Sequence, residues 1–215
     1  MTPGADTGAG PALPPPPGEP YRGAVPFFRA LNRWFMVPLT RRGLGAWVST
    51  PFGGAILLLR VRGRKSGLVR ETPLNYVIHD GAAWVLAGLG PRTQWFQNLV
   101  EEPAVEVLLP GREPFRATAR EMREPSVREM VLPRILRSTI GPAAGSGLNP
   151  FGSAESTLET MSWVPLVRLD PVDGRLEPGP DDPGGHGWIW RQAVLTLALL
   201  LALRALRRAM GWLRR

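Results

Sequence analysis

Hydrophobic and polar positions change period several times along the chain. In "VPFFRALNRWFMV", Val25 to Val37, Phe27 or Phe28, Leu31, Trp34 and Phe35 share one side at helical spacing while Arg29, Asn32 and Arg33 lie elsewhere. This predicts a basic amphipathic helix that packs on its own domain or, at the surface, meets lipid or a partner, and Pro38 is expected to end it.

From Ala55 the runs shorten. "AILLLRVR" (Ala55 to Arg62), "RETPLNYVIH" (Arg70 to His79), "AAWVLAG" (Ala82 to Gly88), "AVEVLLP" (Ala104 to Pro110), "PFRATAREM" (Pro114 to Met122) and "MSWVPLVRL" (Met161 to Leu169) read as six strands. Tight connections at Gly63, His79 and Pro110 join neighbours as antiparallel hairpins. Two helices interrupt them: "RTQWFQNLVEE", Arg92 to Glu102, with Thr93 as its cap, and "PSVREMVLPRILRS", Pro125 to Ser138, broken or kinked at Pro133. Thr139 to Thr160 reads as a Gly/Ser/Pro loop, a lid or a disordered segment. The sum is an α+β chain: an antiparallel barrel of about six strands with peripheral helices.

The tail changes again. "WIWRQAVLTLALLLALRALRRAMGWLRR", residues 188–215, carries an uncharged stretch from Gln192 to Leu203 between Arg191 and Arg204, short of the ~20 residues that a spanning helix needs. Beyond it Leu203, Leu206, Met210 and Leu213 fall on one helical side and Arg204, Arg208 and Arg215 on another, with tryptophans at both ends. This predicts a membrane-associating helix on the lipid surface, against a short tilted span or helix self-association. Residues 1–20 and 171–187, rich in Pro and Gly, read as a disordered N-terminus and a linker, which leaves 21–170 as the domain.

Composition narrows the chemistry. The chain has 215 residues, a net charge of +8 and no cysteine, and its two histidines are isolated, so thiolate catalysis and Cys- or His-rich metal centres are excluded as readings. Five of the last twelve residues are arginines, leaving the middle only mildly basic and without the stripe that nucleic acid would need. No secretory pattern opens the chain, and a cytoplasmic location, peripheral on the membrane, is expected. Lys65 is the only lysine. It sits in "RGRKSG", Arg62 to Gly67, which reads either as a solvated hairpin turn or, with Arg64, Ser66 and Arg70, as a phosphate or carboxylate cradle of exposed amides and cations.

"VPLTRRGLG", "LLLRVRGRKSGLVRETPLNYV", "TQWFQNLVEEPAVEV" and "VPLVRLDP", in this order, resemble the deazaflavin (coenzyme F420)-dependent nitroreductase and quinone reductase family, from about Asn32 to Pro171. The resemblance implies a split β-barrel and an oxidoreductase that passes a hydride from reduced F420 to a quinone, nitro compound or activated alkene. It implies that Arg64, Lys65, Ser66 and Arg70 hold the coenzyme's phosphate and glutamyl tail. Glu71, Thr72, Pro73, Leu74 and Asn75 would lie along the ring, Ala87 and Gly88 at its edge, and Gln94, Trp95, Phe96, Gln97 and Asn98 would complete the pocket. The abbreviated "GLGPRT" leaves Arg92 as the cation there. FMN on the same barrel and a non-enzymatic membrane-surface module are the alternatives, and a homodimer is expected from the short strand edges. No catalytic side chain is singled out, because the coenzyme carries the reaction.

Overall fold

The structure, a computed structural model, describes residue 34 and residues 36–42, 54–138, 153–179, 182–183 and 186–212. The expected N-terminus 1–20, most of the expected helix from Val25 to Val37, and residues 139–152 of the expected loop lie outside these. Six strands form the barrel: β1 (Ile56–Arg62), β2 (Val69–His79), β3 (Ala82–Leu86), β4 (Ala104–Leu108), β5 (Phe115–Met122) and β6 (Leu166–Pro171). They close in the order β1-β2-β3-β6-β5-β4, every pair antiparallel. The hairpins read from the sequence are present.

Alternation along the strands sorts the apolar residues onto two faces. Leu57, Leu59, Val61, Tyr76, Ile78, Val85, Val107 and Leu169 fill the lumen, and helix α2 (Gln94–Glu101) adds Trp95, Phe96 and Leu99 to that cluster. On the outer face, Val77, Trp84 and Leu166 are covered by Val131, Leu132, Ile135 and Leu136 of α3 (Pro125–Ser138). Pro133 lies inside α3, which runs unbroken through it. The short helix α1 (Val37–Arg41) covers Ile56 of β1 with Met36 and Leu39.

Three expectations change. Pro38 does not end a helix: residues 34 and 36 are already in a π-helical turn, and the chain runs on through Pro38 in α1 to Arg41. The end of the expected loop is a helix, α4 (Ala154–Thr160), whose Thr157 Oγ1 donates to Ser153 O at 2.9 Å. Strand β6 starts at Leu166, not Met161, because Met161 and Val164 turn under α3 together instead of alternating across a sheet; Val164 N donates to Met161 O at 3.0 Å.

The stretch read as a linker is extended, and fastened to the barrel. Arg175 Nη2 reaches Asp80 Oδ1 at 2.9 Å, Leu176 is buried and its N–H donates to Gly81 O at 2.9 Å, and Ile78 N–H donates to Asp182 Oδ1 at 3.2 Å. Helix α5 then runs from His186 to Trp212, starting two residues ahead of the expected boundary at residue 188.

Candidate functional site

The turn after β1 is folded on itself. Gly63 O accepts the N–H groups of Ser66 (3.2 Å) and Gly67 (2.7 Å), Gly63 N donates to Leu68 O at 2.9 Å, and Leu68 N donates to Ser66 Oγ at 3.4 Å. Gly67 takes φ +65°, which glycine adopts without strain. The cradle of exposed amides expected here is therefore corrected: the amides of Ser66, Gly67 and Leu68 point into the turn, and holding an anion falls to the side chains. Lys65 and Arg70 are exposed, and neither is ion-paired among the described residues.

Arg64 is held differently. Its backbone N–H donates to Asn98 Oδ1 at 3.2 Å, and its Nη1 donates to Asn98 Oδ1 at 2.9 Å and to Gln94 Oε1 at 3.3 Å. The two segments paired in the sequence, "GRKSG" and "QWFQN", are thus joined side chain to main chain. Both acceptors are neutral, so the guanidinium keeps its charge for a further anion.

Along β2 the candidates divide. The register sets Arg70, Thr72 and Leu74 opposite Val61, Leu59 and Leu57, on the lumen side, and Glu71, Pro73 and Asn75 opposite Arg60, Leu58 and Ile56, on the outer side. Glu71, whose side chain is 10% exposed, accepts from Arg41 Nε at 2.7 Å and Arg60 Nε at 2.9 Å, pinning α1 to the barrel. Asn75 Nδ2 donates to Ala55 O at 3.3 Å. One flat ligand cannot touch both sets of side chains. It can reach the backbone of both, because among the described residues β2 pairs with β3 only from Tyr76 to His79 and its residues 69–74 pair with β1 alone. An unpaired strand edge presents N–H and C=O groups in a row. The run that the resemblance assigns to the ring lies on this open edge as far as Leu74.

The edge opens because β3 turns away from it. Past Leu86, Ala87 N donates to Pro165 O at 3.0 Å, on the β6 side. Ala87 is buried, whereas Gly88 is exposed and a methyl group on it would meet no atom of the described residues within 4 Å. Thr93 stands before α2 as expected, yet its hydroxyl makes no cap to the helix and donates to Gly90 O at 3.0 Å. Gln97 Nε2 donates to Pro91 O at 2.7 Å and so secures the same loop. Trp95 and Phe96, ring centroids 6.0 Å apart, plug the lumen. Of the α2 candidates, Gln94 stands on the exposed rim and Asn98 ties the turn. Arg92 is exposed. Among the described residues no group of three or more metal-ligating side chains comes together.

Residues 35–139 match the profile of the F420H(2)-dependent quinone reductases. Over these residues the chain is similar to that family. It is an oxidoreductase of the F420-dependent kind, built on the six-stranded antiparallel barrel described above. Lys65 and Arg70, unpaired among the described residues, and the backbone of β2 and Gly88, uncovered among the same residues, fit such a coenzyme. Similar solved structures include a conserved hypothetical protein of Mycobacterium tuberculosis, 19% identical over 62% of this chain and 80% of that one, TM-score 0.42. An F420-H2 dependent reductase is 26% identical over 54% of this chain and 93% of that one, TM-score 0.37. The haem storage protein HutZ of Vibrio cholerae is 16% identical over 66% and 93%, TM-score 0.40. The family match ends at residue 139 and leaves out β6 and the tail.

Proposed function

We propose that this protein transfers a hydride from reduced coenzyme F420 to a quinone, with nitro compounds and activated alkenes as acceptors of the same kind. One observation carries the reading: Lys65, in the turn before β2, and Arg70, near its start, are unpaired among the described residues and adjoin a strand edge that, among those residues, is open over 69–74. In this arrangement Lys65, Arg64 and Arg70 hold the phosphate and carboxylates of the tail, the β2 edge and Gly88 offer backbone to the ring, and Trp95 and Phe96 close the lumen beneath it. The bound deazaflavin supplies a two-electron hydride, which suits quinones, nitro groups and conjugated alkenes. The protein contributes orientation and a water-poor face, so no acid–base pair is required. Assigning the open edge to the coenzyme means that a homodimer must use another face. Titration of the protein with reduced F420 and with FMN, followed by fluorescence, tests the reading; retention of FMN with no binding of F420 would overturn it.

We further propose that α5 holds the protein on the cytoplasmic surface of an anionic membrane. Val194, Leu195, Leu197, Leu199, Leu200, Leu201, Leu203 and Leu206 are all exposed, and their spacing carries them around the whole helix. A second helix would cover one side only and would bring Arg191, Arg204, Arg207 and Arg208 against their own copies. Anionic lipid covers every side and complements the charge. Among the described residues no helix is long and apolar enough to cross a membrane, which favours a helix lying in the interface.

A further inference from the structure

The loop after β3 is positioned from outside. Its Ala87 N–H donates to Pro165 O at 3.0 Å, and Gly90, at φ +85°, lies so close to Trp163 that a methyl group on it would stand 3.0 Å from Cζ3. Both contacts come from residues 161–165, between α4 and β6. Arg128 of α3, 8% exposed, fastens that segment, donating through Nη2 to Met161 O at 2.7 Å and to Val164 O at 3.0 Å.

Burying a guanidinium on main-chain carbonyls is expensive in free energy, and among the described residues no carboxylate pairs with it at salt-bridge distance, Glu121 acting only from further away. Packing does not require it there, because Val131, Leu132, Ile135 and Leu136 of the same helix already bury against the outer cluster that contains Met161 and Val164. What Arg128 adds is direction. Two hydrogen bonds set the angle of a turn in which Trp163 and Pro165 touch the loop.

We propose that Arg128 and Trp163 are positioning residues for the coenzyme ring: Arg128 orients the turn at 161–165, and through it Trp163 and Pro165 hold Ala87–Gly90 at the height where the ring edge meets backbone. This rests on the deazaflavin reading above. Neither residue needs to touch the coenzyme, and neither lies near the cations assigned to its tail.

The test uses the full chain and two ligands: F420, and the tail-less deazaflavin riboside that carries the same ring. Arg128→Lys and Trp163→Leu should weaken both ligands by the same factor and lower kcat roughly tenfold or more, within the hundredfold that a 1 Å misplacement can produce. Lys65→Ala should weaken only the tailed ligand. Trp163→Phe, which keeps an aromatic edge over Gly90, should recover most of the loss. Variants that melt earlier but, while folded, bind both ligands and turn over as the wild type does would overturn the proposal, leaving Arg128 and Trp163 merely structural. So would a loss confined to the tailed ligand. A wild type that binds neither ligand would overturn the deazaflavin reading itself, and the positioning role with it.

Discussion

Asn98 Oδ1 accepts both the backbone N–H of Arg64, at 3.2 Å, and its guanidinium Nη1, at 2.9 Å, across 34 residues of sequence. Asn98 is buried. Asn98→Leu, of similar volume, would strand the Arg64 N–H and leave Nη1 with Gln94 alone, and should destabilise the fold by about 1–3 kcal/mol, with a loss of coenzyme affinity as the turn drifts from α2. Asn98→Asp keeps an acceptor and should lose less stability, while its charge competes with the coenzyme for Arg64. Denaturant unfolding and F420 titration of both variants check this.

Lys65→Ala and Arg70→Ala should each weaken F420 by about 1–3 kcal/mol, the scale of hydrogen bonds to charged groups. Maximal turnover should change less, since tail contacts are made alike in the ground state and the transition state. Both residues are exposed, so added salt should mimic the substitutions in the wild type, and that sensitivity should shrink in Lys65→Ala. Equal affinities for short and long glutamyl tails throughout would remove the clamp.

Among the described residues, Gly88 has open space where a side chain would go. Gly88→Val should therefore leave stability within about ±0.5 kcal/mol, the range of ordinary surface substitutions. If the ring edge approaches this backbone, the same variant should lose affinity for F420 and for its tail-less riboside alike. Thermal melting and parallel titration of the two ligands separate these effects.

Burial pushes the Asp182 carboxyl above its usual value, against the opposing pull of the Ile78 N–H that it accepts at 3.2 Å. A raised value means that the folded state favours the proton. Below the unfolded value the group is protonated in both states and its burial carries no charge; as pH rises through the folded value, the unfavourable ionisation appears. Asp182→Asn, whose amide oxygen can still accept from Ile78, should therefore gain stability relative to the wild type between pH 4 and pH 7. Melting curves across that range check the sign, and a difference that is flat with pH would contradict it.

Truncation after Pro183 should release the protein from vesicles containing anionic lipid and leave F420 affinity unchanged. The barrel end keeps Leu176 and Asp182 in that variant, so its fastening survives. Carbonate extraction of the full chain should strip it from membranes, as an interfacial helix requires; retention in the pellet would mean that α5 spans.

The sequence by itself determined most of the strands and the hairpins, because alternation at "RETPLNYVIH" and the Gly-containing turns at Gly63, His79 and Pro110 are local signals, whereas the closing order of the barrel came from the fold. It also marked Lys65, Arg64, Arg70 and Asn98, through short segments whose spacing survives without any structure. Tertiary structure decided what those segments can do. Period 2 says that Arg70 and Glu71 face opposite ways but not which face is open, and only α1, bringing Arg41 onto Glu71 at 2.7 Å, covers the outer one. The open edge of β2 depends on where β3 departs, which Ala87 settles by bonding Pro165, 78 residues away in sequence. Arg128 and Trp163 carried no readable signal, since an arginine on an amphipathic helix and a tryptophan in an apolar run are ordinary until the fold buries one beneath the other's turn. Hydrogen bonds between distant main-chain groups leave no periodicity, so the devices that hold the site are legible only once the chain has folded.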